Sequence, residues 1–202
     1  MNLVIISSSL IFCIFFFFRL QHAKEKEKAA EREFWERERK ANFTRKKSLD
    51  NLNYITIPEE LLAMQPQAAT EEINSLLLDL KDLSACKIVN LTGFTNTDLK
   101  LRYGTANINI LSDYDFHYTK LVTLLQKLGK LLHESGDDAN AVKALEFAVS
   151  TGTDVSQTYY LLAELYREAG TPDKINSLIK QAQGLNSLMK DTIVQTLQAA
   201  CQ

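Results

Sequence analysis

The chain has 202 residues, 46% of them hydrophobic, and only seven glycines and three prolines, which favours a helix-rich protein over a many-stranded β fold. The net charge of −2 is unevenly distributed, because residues 19–47 hold eleven Lys or Arg and six Glu, a net of +5, and residues 48–202 therefore carry −7. A basic segment followed by an acidic body argues against a nucleic-acid-binding domain, whose basic surface lies on the folded part.

The chain begins with an uncharged apolar segment. Residues 3–18 contain no charged side chain, and with Leu20 the segment reaches about the minimum length that spans a bilayer core as a helix. A cleaved signal peptide has basic residues before such a segment and small residues after it, whereas here Phe18 is followed directly by Arg19. The sequence predicts a retained single-pass transmembrane helix at residues 1–20, with membrane contact through residues 3–20.

Residues 21–47 form a charged neck that is rich in strong helix formers and predicts a juxtamembrane helix of the coiled-coil kind. All Lys and Arg near the predicted span follow it, so the positive-inside rule places the body in the cytoplasm. The net positive charge would also attract anionic lipids. Phe34 and Trp35 have two interpretations. They are either solvent-exposed side chains without a role, or they contact lipid headgroups or a partner.

Residues 48–69 predict an extended linker, because Pro58 and Pro66 interrupt any helix there. The segment "NYITIP" has β-branched alternation and predicts a short strand. A single strand is not stable on its own. The segment therefore either clips onto the helical body or docks on another protein.

Residues 70–121 predict the N-terminal helices of the body. Thr70 has the features of an N-cap, and the apolar residues after it mark one face of a helix over 71–89. A short helical piece is predicted from Thr97 to near Gly104, and from Asn107 a longer apolar pattern runs to a stop at Gly136. The helix over 71–89 and the part of this pattern over 107–120 are assigned to one N-terminal pair of helices.

Aligning the chain on itself with an offset of about 34 residues reveals an internal repeat. Positions keep their class in both copies: aromatic or large, large, small, large, glycine, small or apolar, large and alanine. The pairs are Leu125 with Tyr159, Leu128 with Leu162, Gly129 with Ala163, Leu132 with Tyr166, Gly136 with Gly170, Ala141 with Ile175, Leu145 with Ile179, and Ala148 with Ala182.

This pattern resembles the tetratricopeptide repeat, a pair of antiparallel helices with a repeat length of about 34 residues. The resemblance implies one repeat at 122–155, a second at 156–189, a capping helix at 190–202 and a degenerate pair within 70–121. It departs from the family where Ile175 replaces a small residue and where Thr153 and Ser187 stand in place of proline. The expected fold is all-α, a short α-solenoid of helical hairpins behind the transmembrane and juxtamembrane helices.

The resemblance also implies a concave partner-binding face, formed by the first helix of each pair. Carried over by position, this face is polar and of mixed charge, so it implies no single charged peptide end. Its residues are Thr123, Gln126, Lys130, His133, Gln157, Tyr160, Glu164 and Arg167. The alternative is that these side chains are simply solvated and bind no partner.

No catalytic motif is found in the sequence. His117 follows Asp113 by four residues, but no further His or Cys stands at ligand spacing, so no metal site is predicted. His133 lies near a helix C-terminus, where a cation interacts favourably with the helix dipole. We expect no cofactor and no enzymatic activity.

The sequence thus favours a membrane-anchored adaptor that binds an unidentified protein or peptide partner at the cytoplasmic face, in a layout typical of bacteria. The alternative is an extracytoplasmic chaperone-like or assembly factor tethered to a secretion or envelope system. Self-association through the neck or through one end of the array is a third hypothesis.

Overall fold

The structure is a computed structural model that describes residues 3–200, with side chains described for 7–199. Over this range the prediction of an all-α protein is confirmed. The described helices are α1 (Leu3–Asn42), α2 (Glu59–Leu62), α3 (Glu71–Ser84), α4 (Asn96–Tyr103), α5 (Ile108–Glu134), α6 (Asp138–Ser150), α7 (Ser156–Glu168), α8 (Pro172–Gln183) and α9 (Lys190–Ala200).

The chain divides into two compact units. The first contains residues up to 47 together with 95–108, and the second contains 48–94 together with 109 onwards. In the first unit, α4 packs against the C-terminal end of α1. Arg37 forms an ion pair with Asp98 at 2.6 Å, and Glu38 accepts a hydrogen bond from Thr97 and lies 3.6 Å from the ammonium of Lys100. The end of the neck is therefore fastened to α4 and is not a free spacer.

The chain after α1 is held by a close backbone approach at Gly104. Its φ is +90°, and a Cβ built there would lie 2.2 Å from the carbonyl oxygen of Arg45, so no side chain fits. Nearby, the buried Asn107 amide donates to the carbonyl oxygens of Lys47 at 2.8 Å and Tyr103 at 2.7 Å. These contacts join the segment that follows α1 to the residues at the end of α4, within the first unit.

In the second unit, α3 starts where predicted, since the Thr70 hydroxyl caps the N–H of Ile73 at 3.2 Å. The predicted end near residue 89 is wrong, because the helix ends at Ser84. The carbonyl of Ile88 instead accepts the N–H of Ile55 at 2.9 Å. These backbone groups therefore take part in a tertiary pairing and not in helix continuation.

The segment "NYITIP" lies on the helical body of this unit. Tyr54 forms an isolated antiparallel bridge with Val89, and in the described chain no residue is assigned to a longer strand. The linker is held a second time further on, where the N–H of Gln67 donates to the buried carboxylate of Asp137 at 3.0 Å. Of the two alternatives, the segment therefore follows the one in which it clips onto the helical body. The predicted strand is reduced to a single bridge.

From α5 onwards the geometry repeats. The interval between the starts of α6 and α8 equals the interval between the starts of α7 and α9, and both equal the offset of the sequence repeat. The turns before α6 and α8 contain Gly136 and Gly170, both with positive φ, at 81° and 65°. In each turn the N–H after the glycine donates to the carbonyl five residues earlier, at 2.8 and 2.9 Å. Both turns are Schellman motifs, in which the left-handed backbone favours glycine.

The interhelical turns that follow α6 and α8 repeat as well. The hydroxyl of Thr153 accepts the N–H of Val155, and the hydroxyl of Ser187 accepts the N–H of Met189, both at 3.2 Å. These local hydrogen bonds order the turns at the two positions where the resemblance predicts proline.

Helix packing follows the size pattern of the sequence. Gly129 of α5 lies against the buried Leu145 of α6, and α7 packs against α6, α8 and α9. Helix α5 is continuous through residues 121 and 122, so the predicted boundary between the N-terminal pair and the first repeat falls inside one helix. Its N-terminal half and α3 precede the repeating part. The fully buried side chains of α5–α9 include Leu121, Leu125, Leu128, Leu132, Leu145, Tyr159, Leu162 and Ile193.

Candidate functional site

The eight predicted partner-binding residues lie on two helices, four on α5 and four on α7. Thr123, Lys130, Gln157, Glu164 and Arg167 are exposed, and the remaining three are half-buried, namely Gln126, His133 and Tyr160. None is fully buried, so all eight side chains have solvent access. A partner-binding face requires such access.

Three of the eight line one groove of about 180 Å³ between α7 and α9. Tyr160, Glu164 and Arg167 contribute from α7, and Thr196 and Leu197 contribute from α9. The hydroxyl of Tyr160 donates to the Thr196 hydroxyl at 3.3 Å. Ala163 also lines the groove. The groove therefore combines an aromatic wall with polar groups at its edge.

The charged side chains of the predicted face form local ion pairs. Glu164 and Arg167 lie 4.0 Å apart on α7, and Lys130 and Glu134 lie 3.6 Å apart on α5. All four are at least about half exposed, so each pair contributes little to stability. A partner's charged group can displace these weak contacts at a small free-energy cost, whether that group is an anion or a cation.

Sequence reasoning missed the contribution of α9. It assigned this helix only a capping role, whereas Thr196 and Leu197 form one wall of the groove. The signal was present, because Leu197 follows Ala163 by the same offset that separates Ala163 from Gly129. By contrast, Thr123 donates to the carbonyl of Thr119 within α5 and is not a lining residue of this groove.

The two histidines of α5 have different partners. His117 Nδ1 lies 3.0 Å from the carbonyl oxygen of Lys87, which gives the ring a backbone partner. His133 Nδ1 lies 2.6 Å from the carboxylate of Asp138, at the first position of α6. His133 therefore pairs across the turn between α5 and α6, a contact that the helix-dipole interpretation did not include.

A second open pocket, of about 760 Å³, lies beside the turn between α8 and α9. Its lining includes Asp154, Leu188 and Lys190. The Asp154 carboxylate accepts a hydrogen bond from Ser187 at 2.6 Å, and Leu188 is fully exposed. The one carboxylate of this lining therefore already serves the turn between α8 and α9.

The N-terminal part of α1 presents an aromatic surface to solvent. Phe12 and Phe18 are 66% and 67% exposed, and Phe12 stacks on Phe16 at a centroid distance of 6.2 Å. The guanidinium of Arg19 lies 5.5 Å from the centroid of the Phe15 ring. No stretch of helix in the described part of the chain is both long and apolar enough to cross a membrane.

Part of the predicted span lies outside the described residues. This part comprises Met1 and Asn2, together with the side chains of residues 3–6. At the other end of the chain, residues 201 and 202 of the predicted capping helix lie outside them too.

Comparison with known proteins gave no match to any protein-family model, curated protein or solved structure.

Proposed function

We propose that this chain is a membrane-anchored adaptor of the tetratricopeptide-repeat type, which binds a protein or peptide partner at the cytoplasmic face of a membrane. The groove between α7 and α9 carries the proposal. It combines Tyr160, Glu164 and Arg167 of α7 with Thr196 and Leu197 of α9, and the family resemblance implies partner contacts for the three residues of α7.

The repeated geometry supports the assignment to this repeat type. The helix starts, the glycine turns and the closing hydroxyl turns all recur after the same interval. That interval also relates the small residues Gly129 and Ala163, and at Gly129 α5 lies close to Leu145 of α6. Because each helical pair leaves an apolar face uncovered, stacking of successive pairs is the physical reason for such a repeat.

The exposed aromatic surface of α1 supports the anchoring part of the proposal. Large apolar side chains that face water on all sides of a helix are unfavourable, and burial in hydrocarbon contributes about 25 cal/mol per Å² of apolar area. The proposed anchor comprises residues 3–20. The basic residues of the neck, which follow it directly, would then lie at the headgroups of anionic lipids.

The groove favours a partner segment that combines an apolar or aromatic side chain with polar groups. An apolar side chain would pack against the Tyr160 ring and Leu197, while Glu164 and Arg167 provide one acceptor and one donor group. Aromatic and arginine side chains are frequent among the residues that contribute most to protein interfaces. The opposite charges favour polar or zwitterionic segments over strongly charged ones.

Site-directed photocrosslinking in native membranes tests this proposal. The photoreactive analogue p-benzoylphenylalanine replaces Tyr160 within the groove, and in a matched control it replaces Phe116, which is 67% exposed on α5. We expect a discrete crosslinked partner from position 160 and not from position 116. Adding Arg167→Ala should reduce that product by at least about tenfold, as for loss of an interface hot spot.

Equal products from both positions, or a product from position 160 that Arg167→Ala leaves unchanged, would contradict the groove assignment. Circular dichroism of each variant checks that helix content is retained.

A further inference from the structure

Three potential metal ligands converge where α5, α6 and α7 meet. His133 lies in the last turn of α5, Asp138 is the first residue of α6, and Glu168 is the last residue of α7. One ligand atom from each, an imidazole nitrogen and two carboxylate oxygens, lies within 4.8 Å of the other two. The sequence did not indicate this cluster, because Glu168 is far from His133 along the chain and belongs to a different helix.

The turn between α5 and α6 holds two of these residues in place. Gly136 allows the chain to reverse, so that Asp138 returns to 2.6 Å from His133 Nδ1. Between them lies the buried carboxylate of Asp137. It accepts hydrogen bonds from the backbone N–H of Asn140 at 3.4 Å and from the side-chain amide of Asn140 at 2.8 Å. It also accepts one from the backbone N–H of Gln67 at 3.0 Å. The turn is therefore tied both to α6 and to the linker.

Negative charge accumulates at this position. The Asp138 carboxylate lies 2.6 Å from His133 Nδ1, and the carboxylates of Glu168 and Glu164 also lie near this imidazole. Within the part of the chain that the structure describes, Glu168 forms no ion pair with Lys or Arg. The local potential therefore favours a cation at this cluster.

We propose that His133, Asp138 and Glu168 bind a divalent transition-metal ion of the zinc class. Zinc ligands lie about 2 Å from the ion and so within about 4 Å of one another, and small side-chain rotations bring these three into that range. One imidazole and two carboxylates suit zinc, whereas calcium and magnesium prefer oxygen ligands alone. Since Asp138 and Glu168 are exposed, water completes the coordination.

The ion would add a link between α5, α6 and α7. It would join the end of α7 to the turn between α5 and α6, across the boundary between two successive helical pairs. Beside it, Val142 and Leu165 line an open groove of about 330 Å³ that also includes Asp138 and Glu168. This proposal is independent of the partner groove between α7 and α9.

Zinc titration of the full-length chain in detergent tests the site, with a chromophoric chelator as the competitor. We expect one bound Zn²⁺ at the cluster, with affinity at least about tenfold lower in His133→Ala, Asp138→Asn and Glu168→Gln. His117→Ala and Glu134→Gln are matched controls, since His117 contacts a backbone carbonyl and Glu134 pairs with Lys130. Both controls should bind as the unaltered chain does.

A thermal unfolding series provides the second readout. Zn²⁺ should raise the Tm of the unaltered chain and leave that of Glu168→Gln unchanged, because an ion bound to the native state alone shifts the folding equilibrium. Mg²⁺ at the same concentration should have no effect on either. Because Glu168 is exposed, its substitution should not disturb folding.

The cysteines are the main competing ligands, so the titration is repeated in a chain in which Cys13, Cys86 and Cys201 are replaced by serine. Zinc affinity that disappears with the cysteines would overturn the proposal. So would equal affinity in all three ligand variants, or no detectable binding by the unaltered chain.

Discussion

At position 129 the close approach of α5 and α6 depends on a glycine, which has no side chain. A Cβ on Gly129 would lie 2.6 Å from Leu145 Cδ2 and 2.7 Å from its Cγ, and Leu145 is fully buried. The Leu145 side chain has little room to rotate away, because the surrounding core is close-packed. The glycine therefore permits an approach that alanine, a better helix former by about 1 kcal/mol, would prevent.

This geometry predicts a change of sign. In the unaltered chain Gly129→Ala should lower the free energy of unfolding, because an overpacking cost of about 1–3 kcal/mol exceeds the gain in helix propensity. In a Leu145→Ala background the same substitution should raise the free energy of unfolding by about 1 kcal/mol, since the clash is gone. Urea denaturation followed by circular dichroism measures all four proteins.

Gly184→Ala is the control for this cycle. Gly184 has a right-handed backbone at the end of α8, and its nearest contact to an added Cβ is the Gln181 carbonyl oxygen at 3.3 Å. Its effect should be small and independent of residue 145. If Gly129→Ala stabilised both backgrounds equally, the steric explanation would be wrong.

Among the elements, α6, α7 and α8 are joined by one carboxylate. Glu146 of α6 accepts a hydrogen bond from the Tyr166 hydroxyl of α7 at 2.7 Å and from the Lys174 ammonium of α8 at 3.0 Å. Burial raises the pKa of Glu146, but these two hydrogen bonds and the charge of Lys174 lower it by more, so the net direction is downward. The ionised form is thus the one that holds the three helices together.

A depressed carboxyl pKa predicts a loss of stability in acid. The contribution of Glu146 should be complete above its ordinary pKa of 4.5 and disappear as the pH falls through the lower pKa of the folded state. Glu146→Gln should therefore cost about 1 kcal/mol or less at pH 7, given the partial exposure of the pair, and almost nothing near pH 3. Urea denaturation at a series of pH values checks this.

Glu134→Gln serves as the comparison, because Glu134 contacts Lys130 within a single helix and joins no two elements. Its effect should be smaller than that of Glu146→Gln at pH 7. A Glu146→Gln penalty that persisted unchanged into acid would show that packing, and not the carboxylate charge, accounts for the effect.

On the scale of the whole molecule, charge and hydrophobicity are segregated along the chain. An aromatic and aliphatic segment is followed by a neck of +5 and then by a body of −7. Under the anchoring proposal, the basic neck remains on the cytoplasmic side, because translocation of Lys and Arg next to a span is unfavourable. The body, which follows the neck, would lie on that same side.

Labelling with a membrane-impermeant maleimide tests this topology. In a chain whose native cysteines are replaced by serine, Ser150→Cys places a thiol at an exposed position at the end of α6. We expect this thiol to react only after the cells are permeabilised. Asn2→Cys, before the apolar segment, is the matched control and should react in intact cells. The reverse pattern would favour the extracytoplasmic alternative.

Local sequence signals were sufficient to place many of the helices. The Thr70 cap, the stop at Gly136 and the apolar period of α5 were all recognisable, because capping and amphipathic periodicity act over a few residues. The predicted extension of α3 to residue 89 failed because the competing partner of Ile88 is Ile55, which lies far earlier in the chain, within the linker. Three of the eight predicted face residues share the groove between α7 and α9.

The sequence by itself determined the all-α fold and the spacing of the internal repeat. Helix propensity and the apolar period depend on residues that are close together in the chain, and the small residues at 129 and 163 can be recognised from the sequence alone. Only the tertiary structure decided which distant groups meet. It placed Asp98 beside Arg37, Gln67 beside Asp137 and Glu168 beside His133. The physical reason is that the side-chain type of a polar residue restricts its partner's chemistry, whereas the packing of the helices selects the partner.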